Sequence, residues 1–143
     1  MAVRWMGAAL AALVILGQAG SSMADVIQVD NADLARMADE GAVIVDVRTP
    51  AEWQATGVVE GSHLLTFFDA QGNHDAPSWL AALEQIAPGD TPVVLICASG
   101  GRTAAISSFL DQQVGRSGVH NVAGGIMTWI QGGGDLVAVE EAQ

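Results

Sequence analysis

Apolar residues along the chain fall into short solid runs separated by stretches in which they recur every three or four positions. Val26-Ile27-Gln28-Val29, Val43-Ile44-Val45-Asp46-Val47, Leu64-Leu65, Val93-Val94-Leu95-Ile96 and Val119-His120-Asn121-Val122 are short and mostly β-branched, and they predict five strands. Between them, Leu34/Met37/Ala38, Trp79/Leu80/Leu83/Ile86 and Ala104/Ile106/Phe109/Leu110 have the spacing of amphipathic helices, and a last helix carries Trp129. Asp30 or Asn31 caps the first helix, and Pro77 or Ser78 starts the helix through Trp79. A further helix starts at Thr49, with Pro50 at its first position and Glu52 in its first turn. Gly41, Pro88-Gly89-Asp90 and the stretch from Gly115 to Gly118 supply turns. Strands alternating with helices predict an α/β fold, a five-stranded, mostly parallel sheet with helices on both faces.

Two stretches escape this pattern. Phe67-Phe68 opens an irregular passage of about a dozen residues, long enough in a compact domain to be a candidate rim or lid. Phe67, Phe68, His74 and Trp79, in or beside it, are read as packing groups ahead of substrate contacts. Gly132-Gly133-Gly134 is expected to end order, and the tail to Gln143 carries no assigned role.

The chemistry concentrates where the fourth strand ends. Cys97, the only cysteine, follows Ile96 and opens Ala98-Ser99-Gly100-Gly101-Arg102-Thr103 before the next helix. In open α/β sheets ligands bind outside the carboxyl ends of the strands, where helix N-termini aim their N–H groups. Gly100 and Gly101 let consecutive N–H groups turn inward into an anion-binding concavity, Arg102 adds a permanent charge, and Thr103 is expected to cap the helix. Such surroundings lower a thiol pKa and make Cys97 a candidate nucleophile rather than a buried hydrophobe. His63, His74 and His120 have no ligand spacing, so no metal is expected.

The N-terminal segment changes the picture of compartment. Arg4, an apolar centre over residues 8–16 and a small-residue end, Ser21-Ser22-Met23-Ala24, predict a signal peptide over residues 1–24 and export, in a bacterium to the periplasm. The apolar centre is short of the ~20 residues of a membrane span, and an uncleaved N-terminal anchor is the alternative. Residues 25–143 then form one domain. The chain has no lysine and a formal charge of −11, which becomes −12 when Arg4 is removed. That charge disfavours nucleic acid and anionic membranes as partners. A lone cysteine makes no internal disulfide and, in an oxidising compartment, is a site to explain.

The cysteine loop resembles the active-site loop of the rhodanese (sulfurtransferase) family, in which a cysteine opens a short turn that frequently ends in Arg-Ser or Arg-Thr. Asp46-Val47-Arg48 followed by Glu52-Trp53 and Gly57 is similar to the family's Asp-Val-Arg signature, and Ala123-Gly124-Gly125-Ile126 with Trp129 to its final Gly-Gly-Ile turn. Gly57-Val58-Val59-Glu60-Gly61-Ser62 matches the family's Gly-His-Ile-x-Gly-Ala segment in part, with Val58 where histidine is usual, and the tail departs from the usual Gly-x-Pro. The resemblance spans about residues 26–131. It implies a rhodanese-like sheet and an enzyme without cofactor. In that enzyme Cys97 takes a sulfane sulfur from a donor such as thiosulfate and passes it, as a persulfide, to cyanide or a thiol, protein thiols included. Ala98, Ser99, Gly100, Gly101, Arg102 and Thr103 would form the substrate loop. Asp46, Arg48 and Glu52 would support it; read from the residues themselves, Asp46 and Arg48 fix the loop geometry through hydrogen bonds and an ion pair with Glu52. Arg102 either orients the donor's sulfonate or holds the loop through a salt bridge, and the neutral Ala98 and Ser99 disfavour strong thiosulfate binding. Two alternatives stay open. One is a non-catalytic module that carries sulfur or binds a partner. The other is a cysteine-dependent phosphatase or arsenate reductase, although phosphatases enclose one more residue than the four between Cys97 and Arg102.

Overall fold

The structure is a computed structural model that describes residues 26–141, so the expected signal segment lies outside the described residues. Five strands, β1 (Ile27–Val29), β2 (Val43–Asp46), β3 (His63–Leu64), β4 (Val93–Ile96) and β5 (Val119–Val122), form one sheet in the order β1-β5-β4-β2-β3. Every pairing is parallel. The helices are α1 (Asn31–Asp39), α2 (Pro50–Thr56), α3 (Ala76–Ile86), α4 (Gly101–Phe109), which runs on into a π-helical turn at Leu110–Val114, and α5 (Gly125–Gln131).

Alternation along β4 divides the interior in two, because successive side chains of a strand point to opposite faces. Val93, Leu95 and Cys97 join Trp79, Leu83, Ile106 and Leu110 on the α3/α4 face. Val94 and Ile96 join Val29, Leu34 and Ile126 on the α1/α5 face. β4 is buried throughout, which is why its sequence is uninterrupted aliphatic. Phe67 and Trp79 are core residues with rings 5.0 Å apart, and the Trp79 indole N–H donates to Leu65 O at 3.0 Å. His74 is exposed and stacks on Phe67.

Caps account for the helix starts. Asp30 caps α1 by accepting from Asp33 N, and Thr49 caps α2 in a reciprocal box with Glu52, with Pro50 at the first helical position as the sequence predicts. α3 begins earlier than expected, at Ala76, because the Asp75 carboxylate accepts from Ser78 N and Ser78 Oγ. β3 is His63–Leu64, one residue short of Leu65.

The expectation that order ends at Gly132-Gly133-Gly134 is wrong. Gly134 packs under the Trp129 ring, whose indole N–H donates to Asp135 O at 2.9 Å. Val137 then pairs with Val58 through two backbone hydrogen bonds of 2.9 Å in an antiparallel bridge, and a 3-10 turn follows at Val139–Glu141. Among the described residues no helix is long and apolar enough to cross a membrane.

Candidate active site

Cys97 stands at the carboxyl end of the central strand with its side chain on the α3/α4 face, and it is 1% exposed. The loop after it closes back over the sulfur. Gly100 takes φ +91°, a left-handed conformation that glycine alone adopts cheaply, and its N–H donates to Sγ at 3.2 Å. A methyl group at Gly100 would land on Ala123 O, so the neighbouring turn fixes this position from the other side. The two carbonyls that open the loop are drawn toward α5: Ile126 N donates to Cys97 O at 2.8 Å and Met127 N to Ala98 O at 3.0 Å. A Cβ at Gly125 would lie 2.6 Å from Cys97 O, so this approach requires the second glycine of the Gly-Gly pair.

Thr103 does not cap α4. Gly100 occupies the cap position, and Thr103 is buried in the first turn with Oγ1 3.4 Å from Sγ and 3.2 Å from Gly100 O. Its single hydroxyl proton can serve either acceptor, and a deprotonated sulfur is the stronger one. Burial pushes the Cys97 thiol up, but the Thr103 hydroxyl and the backbone N–H groups of Thr103, Gly100 and Ser99 outweigh it and hold the thiol below its ordinary value. Ser99 and Gly101 are exposed, Ala98 and Arg102 half-buried.

The expected partnering of the charged residues is wrong in one respect. Arg48 does not reach Glu52. Its guanidinium and backbone N–H converge on Asp46, with contacts of 2.7–3.1 Å, and both side chains are essentially sealed from solvent. Arg48 also donates to Thr56 Oγ1 at 2.9 Å and to Gly57 O at 3.0 Å, and so ties the far end of α2 to the end of β2. Glu52, on the first turn of α2, pairs instead with Arg102 of the cysteine loop, NH1 to Oε2 at 2.9 Å and NH2 to Oε1 at 2.6 Å. Asp46 and Arg48 thus position α2, and α2 presents Glu52 to the loop.

Both edges of this fork are used, and Thr49 N and Oγ1 add bonds of 3.0 Å to Glu52 Oε2. The Arg102 hydrogen bonds, reinforced by Thr49 and opposed by partial burial, hold the Glu52 carboxyl at about 2, well below the ordinary 4.5. Since the folded value lies below the unfolded one, this contribution to stability is complete above about 4.5 and is lost as the pH falls through about 2. Glu52→Gln is therefore expected to lower the melting temperature at pH 6, with the gap to wild type closing as the pH falls over that window. A gap that persists unchanged at pH 2 would show that the carboxylate charge is not what stabilises the loop.

The Gly124-Gly125 pair predicts backbone brought close to the cysteine loop, and the structure realises it through the Ala123 carbonyl under Gly100 and the Met127 N–H on Ala98. The pairing of the tail with Val58 lay outside what the sequence predicts.

The rhodanese-like domain family matches residues 30–131. A protein of Allochromatium vinosum named sulfurtransferase is 35% identical over 117 residues, which cover 80% of this chain and 98% of that one. Thiosulfate sulfurtransferase GlpE of Pseudomonas fluorescens is 34% identical over 91 residues, covering 64% and 72%. Among solved structures, a rhodanese-related protein from Thermoplasma volcanium superimposes with a TM-score of 0.59 at 31% identity, covering 78% of this chain and 97% of that one. Since the family match extends from the cap of α1 to the end of α5 and encloses the cysteine loop with both ion pairs, the chain belongs to the rhodanese-like domain family.

Proposed function

We propose that this rhodanese-family chain is a sulfurtransferase that carries a sulfane sulfur on Cys97. The observation that carries the reading is the Gly100 N–H at 3.2 Å from a sulfur that also faces the Thr103 hydroxyl, at the N-terminus of α4. Those donors favour the thiolate and a persulfide anion in its place, and the helix end contributes about half a unit of positive charge. In the proposed cycle the thiolate attacks the outer sulfur of a donor such as thiosulfate, a new S–S bond forms, and sulfite leaves with the electron pair of the broken bond. A thiophilic acceptor, cyanide or a thiolate, then attacks the outer sulfur, and the electron pair returns to Cys97. Neither step needs a general base. Mass spectrometry after thiosulfate treatment tests the reading: one added sulfur atom on Cys97, removed by cyanide as thiocyanate, is expected, and a chain that never gains sulfur from any sulfane donor overturns it.

Arg102 is spoken for by Glu52, which supports the loop-holding role over donor orientation. Arg102→Lys is expected to slow sulfur uptake from thiosulfate and delivery from preloaded persulfide by similar factors. A drop of tenfold or more in uptake kcat/KM, with delivery spared, would return Arg102 to the donor. Export belongs to the same proposal and is supported by Arg4, the apolar stretch and Ser22-Met23-Ala24. N-terminal sequencing of secreted protein should begin at or near Asp25, and recovery of the full-length chain from membranes would overturn it.

A further inference from the structure

The charges around the loop do not suit a free dianion. The chain has no lysine, and each of the four arginines among the described residues is committed to an acid. Arg36 contacts Asp33 and Glu40, Arg48 is buried on Asp46, Arg102 is forked onto Glu52, and Arg116, 6% exposed, faces Glu84 at 4.0 Å. At −11, the field opposes the approach of a small anion and favours a cation, on a scale of roughly 10 to 10³ in association rate.

Beside the loop the surface is apolar. Met127, 52% exposed, and Ile130, 44% exposed, stand at i and i+3 on α5, and Met127 is bonded through its own N–H to the loop carbonyl of Ala98. The other large apolar residues of comparable exposure, Ile27 and Val114, begin β1 and end the π-helical turn, at the opposite end of the sheet from Cys97. Acids stand along one side of the α5 pair, toward α1. Asn31 Nδ2 donates to Thr128 O at 2.8 Å and brings the α1 end, with exposed Asp30, against α5, where an open groove is lined by Asp30, Asp33, Gly124 and Thr128. Asp135, also exposed, is held on the same α1-facing side by the Trp129 indole. An apolar centre with a charged rim is the anatomy of a protein interface, and here the rim is of one sign.

Resting on the sulfurtransferase reading, we infer that the sulfur partner of Cys97 is a basic protein that presents a cysteine thiol, seated on the Met127–Ile130 face of α5 with its lysines or arginines against the acidic rim. Its thiolate attacks the outer sulfur of the Cys97 persulfide, the S–S bond to Cys97 breaks, the electron pair returns to Cys97, and the partner leaves as the persulfide.

The test uses protein preloaded with thiosulfate and freed of excess donor, with three acceptors: a single-cysteine peptide flanked by lysine and leucine, the same peptide with glutamate for lysine, and cyanide. The lysine peptide should be at least tenfold faster than the glutamate peptide in dilute buffer, and that ratio should collapse toward one in molar salt, where the screening length is about 3 Å. The double variant Met127→Ser, Ile130→Ser should lose at least tenfold more in kcat/KM with the lysine peptide than with cyanide. Equal peptide rates, a salt-independent ratio, or equal losses with peptide and cyanide would overturn the docking surface while cyanide turnover leaves the sulfurtransferase reading standing. Failure of Cys97 to load from thiosulfate or from any other sulfane donor would overturn both.

Discussion

Cys97→Ser is expected to abolish sulfur uptake and delivery, by at least ~10³-fold, while leaving the fold in place. Serine is nearly isosteric, and its hydroxyl would meet the same Gly100 N–H and Thr103 hydroxyl that surround the sulfur. It cannot substitute chemically: the hydroxyl stays protonated at neutral pH, no base stands beside it, and oxygen forms no persulfide. Because Cys97 is the only cysteine, no second thiol can mask the loss. The assay is thiocyanate formation, with melting temperature as the control, which should move by no more than a few degrees for one hydroxyl in an apolar cluster. Wild-type protein that hydrolyses an aryl phosphate while transferring no sulfur would instead favour the phosphatase alternative.

Asp46→Asn should be the most damaging polar substitution in the protein. Arg48 is 1% exposed and Asp46 fully buried, so removing the carboxylate charge leaves a guanidinium with no counter-ion in the interior. Breaking a buried pair from one side costs about 3–5 kcal/mol, which in a domain of this size lowers the melting temperature by roughly 10–20 °C. Replacing both partners by apolar residues should recover part of that loss, because the double variant strands no charge. Thermal denaturation of the single and double variants reads both effects. An Asp46→Asn protein that melts within a degree or two of wild type would mean that Thr56 and Gly57 hold Arg48 without help.

Features set by neighbours in sequence were legible before the structure. The buried run Val93 to Ile96, the break at Cys97 and the glycine turn predicted strand, loop and helix, and Thr49 three residues before Glu52 predicted a capping box that is present. What spacing cannot show is which partner a charged side chain finds across the fold. Glu52 lies four residues from Arg48 and 50 from Arg102, yet it pairs with the distant one, because Arg48 folds back onto Asp46 within the same loop. Thr103 misled for a related reason: a left-handed glycine at position 100 took the cap and left the hydroxyl free to face sulfur. The three glycines at 132–134 read as an end of order, whereas Gly134 is small so that the chain can pass under Trp129 and deliver Val137 to Val58. Phe67 and Trp79 pack as expected, within the same cluster as Cys97.

The near-complete burial of Cys97 bears on how a lone thiol avoids unwanted crosslinking. At 1% exposure its sulfur offers almost no surface to another protein's thiol or to a bulky oxidised thiol, so two copies of the chain have no easy route to a crosslinked dimer. On the proposed sulfurtransferase reading a loaded cysteine would differ, because the added sulfur would stand about 2 Å beyond Sγ, the length of an S–S bond. Burial would then hide the empty thiol from other proteins, while the outer sulfur of the persulfide would be the atom a partner thiol could reach.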